Sequence, residues 1–395
     1  MLTTSSARAP ASTSYVASVD LVRGLVIVLM ALDHVRWFFT DVDFYPTDLS
    51  HADAAQYFTR WITHLCAPAF VFLAGTSAFL SAAQGLDRTR LARRLFIRGL
   101  WLVVLEVTAV RLAWVFNLDY SQLELGVIWA LGWSMVALSV LVYLPRWAIA
   151  SIGIAMIVAH NLLDGLKLDG FRAVDGSLKW QGWVLSILHV PHSPVAYPLI
   201  PWIGVMATGY AFGAVFMMPT NRRRQLMLGW GAALIAAFIL LRLYNGYGDP
   251  APWATQETAL FTLLSFLNTT KYPPSLLFLL MTLGMTLILL AVFEYRQARH
   301  GPISRLLIVF GRVPLFFYLL HLYVIHGLVI VFALVMSRDI APFLESFDAF
   351  PPWWGFNLGA VYLIWIAVTL LLYPVCRWFA AVKARHKNSW WTPYI

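Results

Sequence analysis

Charged side chains are scarce in this chain: Asp, Glu, Lys and Arg make up only 12% of its 395 residues. A soluble domain typically carries about 25%, so a water-facing surface of ordinary composition is excluded. Hydrophobic residues make up 60% of the chain, and the mean hydropathy is +0.72. The composition therefore predicts an integral membrane protein.

Cysteine and acidic residues are also few. The two cysteines, Cys66 and Cys376, lie in apolar runs, so no disulfide framework is predicted and each is expected to be a small buried hydrophobe. The 19 acidic residues are outnumbered by 28 Lys and Arg, which leaves a net charge of +9. In a membrane protein this excess predicts basic cytoplasmic loops rather than a nucleic-acid partner. No signal peptide is expected, because the apolar run after Asp20 lacks a cleavage-like exit.

The apolar runs are about twice the length of a barrel strand and do not alternate with polar residues, which favours helices over a barrel. The fold class is therefore all-α, a polytopic transmembrane helical bundle of about ten spans. Kinks are expected within two spans, at Pro68 and Pro314. The predicted spans are approximately 19–40, 60–82, 93–116, 122–144, 147–163, 198–217, 226–244, 275–295, 304–335 and 355–380.

Lys and Arg alternate with acidic residues from one connection to the next, which predicts both termini in the cytoplasm. The basic connections are 88–94, 146, 222–224, 296–305 and 383–387. The acidic ones are 41–53, 119, 249–257 and 339–348. The long connections 164–197 and 245–274 are expected to cap the outer face. The predicted parts are a cytoplasmic segment 1–17, a membrane domain 18–382 and a cytoplasmic tail 383–395.

Polar residues inside the predicted spans concentrate at one depth, towards the outer side. A buried charge in a span is costly and usually faces a bundle interior or a water-filled cavity. This clustering therefore predicts a functional chamber near the outer leaflet. The residues concerned are Asp33, His34, Arg36, Arg60, His64, Glu106, Arg111, His160, Asp164, Asn268, Lys271, Tyr272, His321 and His326.

Helix geometry relates some of these positions to one another. Arg23 and His34 are eleven residues apart, so they share a helix face about 16 Å apart. His321 and His326 are five residues apart and point in different directions. Both histidines are therefore not expected to enter one narrow site.

Structural roles remain the alternative for these polar groups. His34 beside Asp33 can form a polar pair at the interface, and His64 can hydrogen-bond to a neighbouring helix. Glu106 and Arg111 are expected to form structural ion pairs with other helices. No metal site is predicted, because the spacing of the histidines is not diagnostic of one.

Four segments carry a resemblance to a known family. They are SVDLVRGL at 18–25 with MALDH at 30–34, PAFVFLAG at 68–75, KYPPS at 271–275, and GRVPLFFYLLH at 311–321. The first two resemble the opening core spans of the heparan-α-glucosaminide N-acetyltransferase catalytic-domain family, which includes bacterial members of unassigned role. The last two resemble stretches of its bacterial branch. The resemblance spans most of the chain.

The resemblance implies that residues 18–382 form an acyltransferase-like domain of a bacterial inner membrane. Such a domain would move an acetyl group from cytosolic acetyl-CoA to an amine or hydroxyl beyond the membrane, without a metal. Family members that act on heparan have Asn at the position of His34 and use a His in the following loop, where this chain has His51. This departure points to another acceptor, such as a cell-envelope glycan.

The sequence hypothesis assigns roles to eight residues. The acyl-CoA phosphates lie near Arg23, with Asp20 and Lys271 as the other donor-binding candidates. His34, tuned by Asp33, takes the proton of the acceptor or carries a transient acyl group. The remaining catalytic candidates are His64, His321 and His51, and the thioester oxyanion is stabilised by His64, His321 or Lys271.

A proton-coupled transporter of a small solute is the rival interpretation, because intramembrane charges and helix-breaking prolines also occur in carriers. The outward skew of the polar groups and the lack of a clear repeat favour the enzyme. An assembly or anchoring protein would leave the intramembrane charges unexplained. The expected partners are acyl-CoA, the acceptor and membrane lipid, and self-association is left open.

Overall fold

The computed structural model describes residues 17–121, 123–296, 301–345, 350–386, 389 and 391–392. The predicted N-terminal segment, apart from Ala17, and part of the predicted tail lie outside these residues. The described residues are helical and contain no β-sheet, which confirms the predicted all-α class. Their α-helices are α1 Ala17–Phe39, α2 Ala54–Thr63, α3 Cys66–Ala83, α4 Arg88–Leu105, α5 Arg111–Val115, α6 Val127–Leu141, α7 Arg146–Ala159, α8 Trp180–Leu188, α9 Leu199–Phe212, α10 Thr220–Tyr244, α11 Ala259–Leu267, α12 Leu276–Arg296, α13 Pro302–Arg312, α14 Pro314–Val335, α15 Ala341–Glu345 and α16 Leu358–Arg385.

Seven helical segments of the described chain are long and apolar enough to cross a membrane. Large apolar side chains on them face outward, such as Val335 at 77% and Leu363 at 70% exposure, and in water such a belt would be unfavourable. The count of about ten spans and the orientation stay predictions. The seven segments are Ala54–Ala83, Arg146–Leu163, Leu199–Met217, Thr220–Tyr244, Leu276–Tyr295, Pro314–Val335 and Leu358–Arg385.

Helix α1 lies at the centre of the bundle, where it packs against α3, α12, α13, α14 and α16. Its crossing with α13 is close because both helices present glycine there: a Cβ on Gly24 would overlap the Leu307 carbonyl, and one on Gly311 would overlap the Asp20 carbonyl. These glycines belong to two of the segments that carry the family resemblance. The two ends of α1 are called here the Arg23 end and the His34 end.

Two spans are interrupted near the prolines that predicted kinks. Helix α2 ends just before His64 and α3 begins at Cys66, while α13 and α14 are separated at Val313. A proline ring clashes with the carbonyl four residues earlier and removes one helical hydrogen bond. For Pro68 that carbonyl belongs to His64, and for Pro314 it belongs to Phe310, so each break falls where the helix is weakened.

A π-helical turn, Glu106–Val110, joins α4 to α5. Such a turn inserts an extra residue into a helix and is frequent at functional sites, because it redirects the side chains that follow. Turns of 3₁₀ helix occur at His160–Leu163, Leu168–Phe171 and Gly213–Met217. The π-helical turn is the one that borders the candidate site.

Both cysteines are buried and free of disulfides, as predicted. Cys66 begins α3, and Cys376 lies within α16. Each packs in the apolar core, which is the ordinary environment of a free cysteine.

Candidate functional site

The bundle encloses a chamber of about 380 Å³ at the His34 end of α1. Helices α1, α2, α3, α5, α6 and α14 contribute to its wall, and the connections 164–197 and 245–274 contribute Pro191, Tyr197 and Lys271 among others. The structure thus brings together many of the polar groups that the sequence placed at one depth. The polar residues lining it are Asp33, His34, Tyr45, Arg60, Thr63, Glu106, Arg111, Glu124, Tyr197, Lys271, Tyr272 and Tyr318.

His34 and His321 form a hydrogen-bonded pair beside this chamber. The Nδ1 atom of His34 lies 2.7 Å from Nε2 of His321, and Nδ1 of His321 lies 2.9 Å from the carbonyl oxygen of Phe317. A carbonyl only accepts, so Nδ1 of His321 carries the hydrogen. In the neutral pair, Nε2 of His321 must then accept a hydrogen from Nδ1 of His34.

This network assigns the tautomer of His34. With its hydrogen on Nδ1, neutral His34 keeps a lone pair on Nε2. His34 lines the chamber, whereas His321 is fully buried behind it. The chamber therefore contains an imidazole nitrogen that can accept a proton, and His321 holds it in that state.

Aromatic rings restrain the His34 imidazole. Trp114 stands edge-on to it with centroids 5.2 Å apart, and Tyr318 does the same at 6.2 Å. By contrast, His326 is hydrogen-bonded to the carbonyls of Ala113 and Phe343. His321 and His326 thus diverge, as their spacing predicted.

Asp33 has a different environment from the one the sequence hypothesis gave it. Its carboxylate is held by Arg36, at 3.1 Å, and by Arg60. Arg60 also donates to the Tyr45 hydroxyl at 2.7 Å. No hydrogen bond between Asp33 and His34 occurs among the described contacts, so Asp33 acts as the counter-ion of two buried guanidinium groups.

The two other candidate histidines lie apart from the His34 pair. His64 is buried against Phe278, with ring centroids 5.3 Å apart, and it does not line the chamber. His51 is exposed and lies 2.9 Å from the Asp48 carboxylate. Hydrogen bonds from Ser50 and His51 lower the pKa of Asp48 to about 2. The structure therefore places His51 in a surface cluster.

The Arg23 end of α1 carries a basic cluster. Asp20 lies 3.6 Å from Arg23 and 3.7 Å from Arg312, so the two donor-site candidates on α1 are themselves an ion pair. Arg23 also donates to the Leu73 carbonyl and to Ser77 on α3. Two more cations, Arg98 and Lys383, lie within electrostatic reach of Arg23.

Sequence reasoning missed Arg98 and Lys383 as site residues, and it gave Glu106 only a structural role within the predicted polar cluster. One sequence signal relates Arg98 to Arg23, because Arg98-Gly99-Leu100 matches Arg23-Gly24-Leu25. Lys383 was counted only as a topology signal. No pattern along the chain could reveal that α16 brings it beside α1 and α4.

The structural ion pairs expected for Glu106 and Arg111 do not form within the described residues. The Arg111 guanidinium donates to Asn117 and to the Asp119 carbonyl. Glu106 instead accepts a hydrogen bond from the Gly126 amide, at 2.7 Å. That prediction was wrong, because the π-helical turn and the chain after Phe116 give each group a backbone partner.

Fold and site together define a helical membrane protein with a histidine-centred polar chamber at one end and a basic cluster at the other. The family model described as "Heparan-alpha-glucosaminide N-acetyltransferase, catalytic" matches residues 16–243, more than half of the chain. The chain belongs to this family of membrane acetyltransferases, which confirms the resemblance. The match includes His34 and Glu106, whereas Lys271 and His321 lie beyond it. Comparison with curated proteins finds no match.

The His34–His321 geometry yields a first prediction. In His321→Phe, the buried Nδ1–H of His34 loses its acceptor, which costs about 1–3 kcal/mol. We expect kcat for acetyl transfer to fall about tenfold or more, with KM for acetyl-CoA unchanged, in steady-state assays. His321→Gln keeps an acceptor oxygen and should recover part of the loss. Equal activity of the two variants would contradict a positioning role for His321.

Proposed function

We propose that this protein transfers an acetyl or similar acyl group from cytosolic acyl-CoA to an amine or hydroxyl of an extracytoplasmic acceptor, such as a cell-envelope glycan. The observation that carries the proposal is the proton-accepting Nε2 atom of His34. A hydrogen bond to His321 holds His34 in one tautomer at the wall of a polar chamber. Membership of an acetyltransferase family supports it. The membrane concerned is a bacterial inner membrane, and the acyltransferase domain is 18–382.

His34 performs the proton transfers of this reaction. The amine nitrogen or hydroxyl oxygen of the acceptor substrate attacks the thioester carbonyl carbon. As it does so, Nε2 of His34 takes its proton. When the carbon–sulfur bond breaks, the protonated imidazole returns that proton to the leaving thiolate. The imidazole suits both steps because its ordinary pKa lies near neutrality.

Lys271 stabilises the oxyanion that forms on the thioester carbonyl. Its ammonium group contacts the Tyr272 ring, 5.2 Å from the centroid, and lines the chamber. No carboxylate lies within ion-pair distance of it in the described residues, so its positive charge is available to a developing negative charge. Of the three oxyanion candidates, it is the one in the chamber wall.

The acyl donor enters from the Arg23 end, which we place in the cytoplasm together with both termini. The phosphates of CoA suit the cationic cluster there, formed by Arg23, Arg98, Arg312 and Lys383. Arg23 and His34 are about 16 Å apart along α1. The pantetheine arm of CoA has to cover this distance to bring the thioester to His34. The seam between α1 and α3 connects them, since Arg23 contacts Ser77 at one end and His34 and Ala67 line the chamber at the other.

Acetyl-CoA binding tests this proposal. We expect acetyl-CoA to raise the thermal unfolding temperature of the detergent-solubilised protein, because a ligand that binds only the folded state stabilises it. In the double variant Arg98→Gln with Lys383→Gln, the concentration required should rise about tenfold or more, since charged hydrogen bonds to phosphate are lost. The matched control is Arg385→Gln, an exposed cation on the same helix as Lys383.

Two results would contradict the proposal. If acetyl-CoA leaves the unfolding temperature unchanged, the protein does not bind the donor as proposed. Uptake of a solute by vesicles containing the protein, coupled to protons and independent of acyl-CoA, would favour the carrier instead.

A further inference from the structure

A second cavity, of about 700 Å³, lies on the outer side of the bundle. It runs between two helix pairs, α7 with α9 and α10 with α12, and is called here the α7–α10 groove. It shares no lining residue with the chamber at the His34 end of α1. Its volume lies within the range of about 300–1,000 Å³ that is typical of ligand sites.

Each of the two helix pairs is closely packed, so the groove is a gap between two compact units. A Cβ on Gly153 of α7 would lie 2.8 Å from the carbonyl oxygen of Gly204 on α9. A Cβ on Gly284 of α12 would lie 3.1 Å from the carbonyl oxygen of Gly231 on α10. Small residues that permit such close approach are typical of helix pairs in membranes. A helix could therefore move into the gap only by giving up the contacts within its own pair.

The body of the groove is apolar. Its floor is a stripe of largely buried leucines along α12, from Leu276 to Leu287. Its rim includes Ile154 and Val158, which are 54% and 45% exposed. The hydroxyl of Thr208, which also lines the groove, is already used, because it donates to carbonyls within α9. A polar solute would lose its hydration here without gaining partners, whereas a hydrocarbon chain would be bound favourably.

One end of the groove is cationic. Arg146 lines this end, at the start of α7, and no carboxylate of the described residues forms an ion pair with it. Arg88 adds a second cation nearby, since it donates to the Tyr143 carbonyl just before α7. The first turn of α7 follows Pro145 and has no side-chain cap, so its free amide groups also favour an anion.

The length of the groove matches one leaflet of a bilayer. Arg146 and Val158 are twelve residues apart on α7, which corresponds to about 18 Å, and one leaflet contributes about 15 Å of hydrocarbon. Helix α7 belongs to a segment that is long and apolar enough to cross a membrane, Arg146–Leu163. The groove therefore lies at the depth of lipid chains, with its charged end at the level of their headgroups.

We propose that the α7–α10 groove binds one acyl chain of an anionic phospholipid, whose phosphate contacts Arg146 and the first turn of α7. With both termini in the cytoplasm, this lipid belongs to the cytoplasmic leaflet. The site goes beyond the proposed acyl transfer and does not depend on it. The bound chain bridges the two helix pairs, so the lipid stabilises the folded bundle.

Thermal unfolding of the purified, delipidated full-length protein in a neutral detergent tests this site. The probes are phosphatidylglycerol, phosphatidylcholine with the same acyl chains, and inorganic phosphate. We expect phosphatidylglycerol to raise the unfolding temperature at a concentration about tenfold or more below that of phosphatidylcholine, because its net negative charge pairs with Arg146. Inorganic phosphate should have no effect, because it has no chain to fill the groove.

Two variants test the charged end and the apolar body separately. In Arg146→Gln, the concentration of phosphatidylglycerol required should rise about tenfold or more, towards that of phosphatidylcholine. Its control is Arg385→Gln, an exposed cation on α16. Ala233→Phe adds a ring to the groove from an exposed position of α10 and should weaken the effect of both lipids. Its control is Ala232→Phe, which adds the same ring at an exposed position outside the groove.

Each other result would overturn the proposal. Equal effects of the two lipids, or an unchanged response in Arg146→Gln, would show that no anionic headgroup is recognised there. Stabilisation by inorganic phosphate would identify a soluble phosphate compound as the ligand. If Ala233→Phe converted a dimer into a monomer in light scattering without changing the lipid response, the groove would be an interface between copies of the chain. If Ala233→Phe does not fold, the comparison of Arg146→Gln with Arg385→Gln decides alone.

Discussion

Replacing His34 by alanine is expected to lower kcat for acetyl transfer by about 10²–10⁴-fold, the usual contribution of a general base. The structure gives the reason, since Nε2 of His34 is the imidazole acceptor that the His321 hydrogen bond presents to the chamber. The basic cluster that we propose as the donor site lies at the other end of α1, so KM for acetyl-CoA should change little. Steady-state kinetics with acetyl-CoA and an amine acceptor measures both quantities.

A matched substitution and a binding measurement complete this experiment. His192→Ala removes an imidazole that packs near Trp183 and does not line the chamber, so it should behave as wild type. The His34→Ala protein should still be stabilised by acetyl-CoA. Wild-type turnover in His34→Ala would remove His34 from the mechanism, whereas loss of stabilisation would show that the substitution had disturbed the donor site.

The substitution Asp33→Asn is expected to destabilise the folded protein by about 3–5 kcal/mol, the cost of breaking a buried charge pair. Asp33 lies between Arg36 and Arg60, whose side chains are only 5% and 4% exposed. Without the carboxylate, two buried guanidinium groups of like charge are left without their counter-ion. The expected observation is a marked fall in the thermal unfolding temperature in detergent.

The control for this prediction is Asp48→Asn, because Asp48 is exposed and pairs with His51 at the surface. Its unfolding temperature should equal that of the wild type. If Asp33 instead tuned His34, as the sequence hypothesis holds, Asp33→Asn would lower kcat without lowering the unfolding temperature. The two measurements therefore distinguish a counter-ion from a catalytic partner.

At the sequence level, the placement of His34 in a polar cluster depended on its depth along the span. Because a membrane helix advances by a constant rise per residue, position along a span converts directly into depth. This conversion placed His34, Arg60 and Lys271 at one level, and the chamber contains all three. Depth alone does not predict which of these side chains contact each other, because contacts at one depth depend on how the helices are rotated and packed. The hypothesis that Asp33 tunes His34 came from their adjacency in sequence, and it stays a prediction.

The partners of Glu106 also could not be predicted from its position in the sequence. Along the chain it stands five residues before Arg111, which is close to a helical neighbour and invites an ion-pair interpretation. The π-helical turn between them and the approach of Gly126 changed both sets of partners. A π-helical turn has no strong sequence signature, so the hydrogen bond between Glu106 and Gly126 could not be predicted.

Composition and hydropathy by themselves determined that this protein is an all-α membrane protein, because lipid admits only helices or closed barrels and the apolar runs are too long for strands. Short motifs indicated its family, and two glycines within them, Gly24 and Gly311, lie where α1 and α13 cross closely. Only the tertiary structure decided that His321 orients His34, that Asp33 neutralises two arginines and that Glu106 accepts a hydrogen bond from Gly126. The physical reason is that hydrogen bonds and ion pairs depend on distances of about 3 Å between different helices, and the sequence of one helix does not determine its rotation against another.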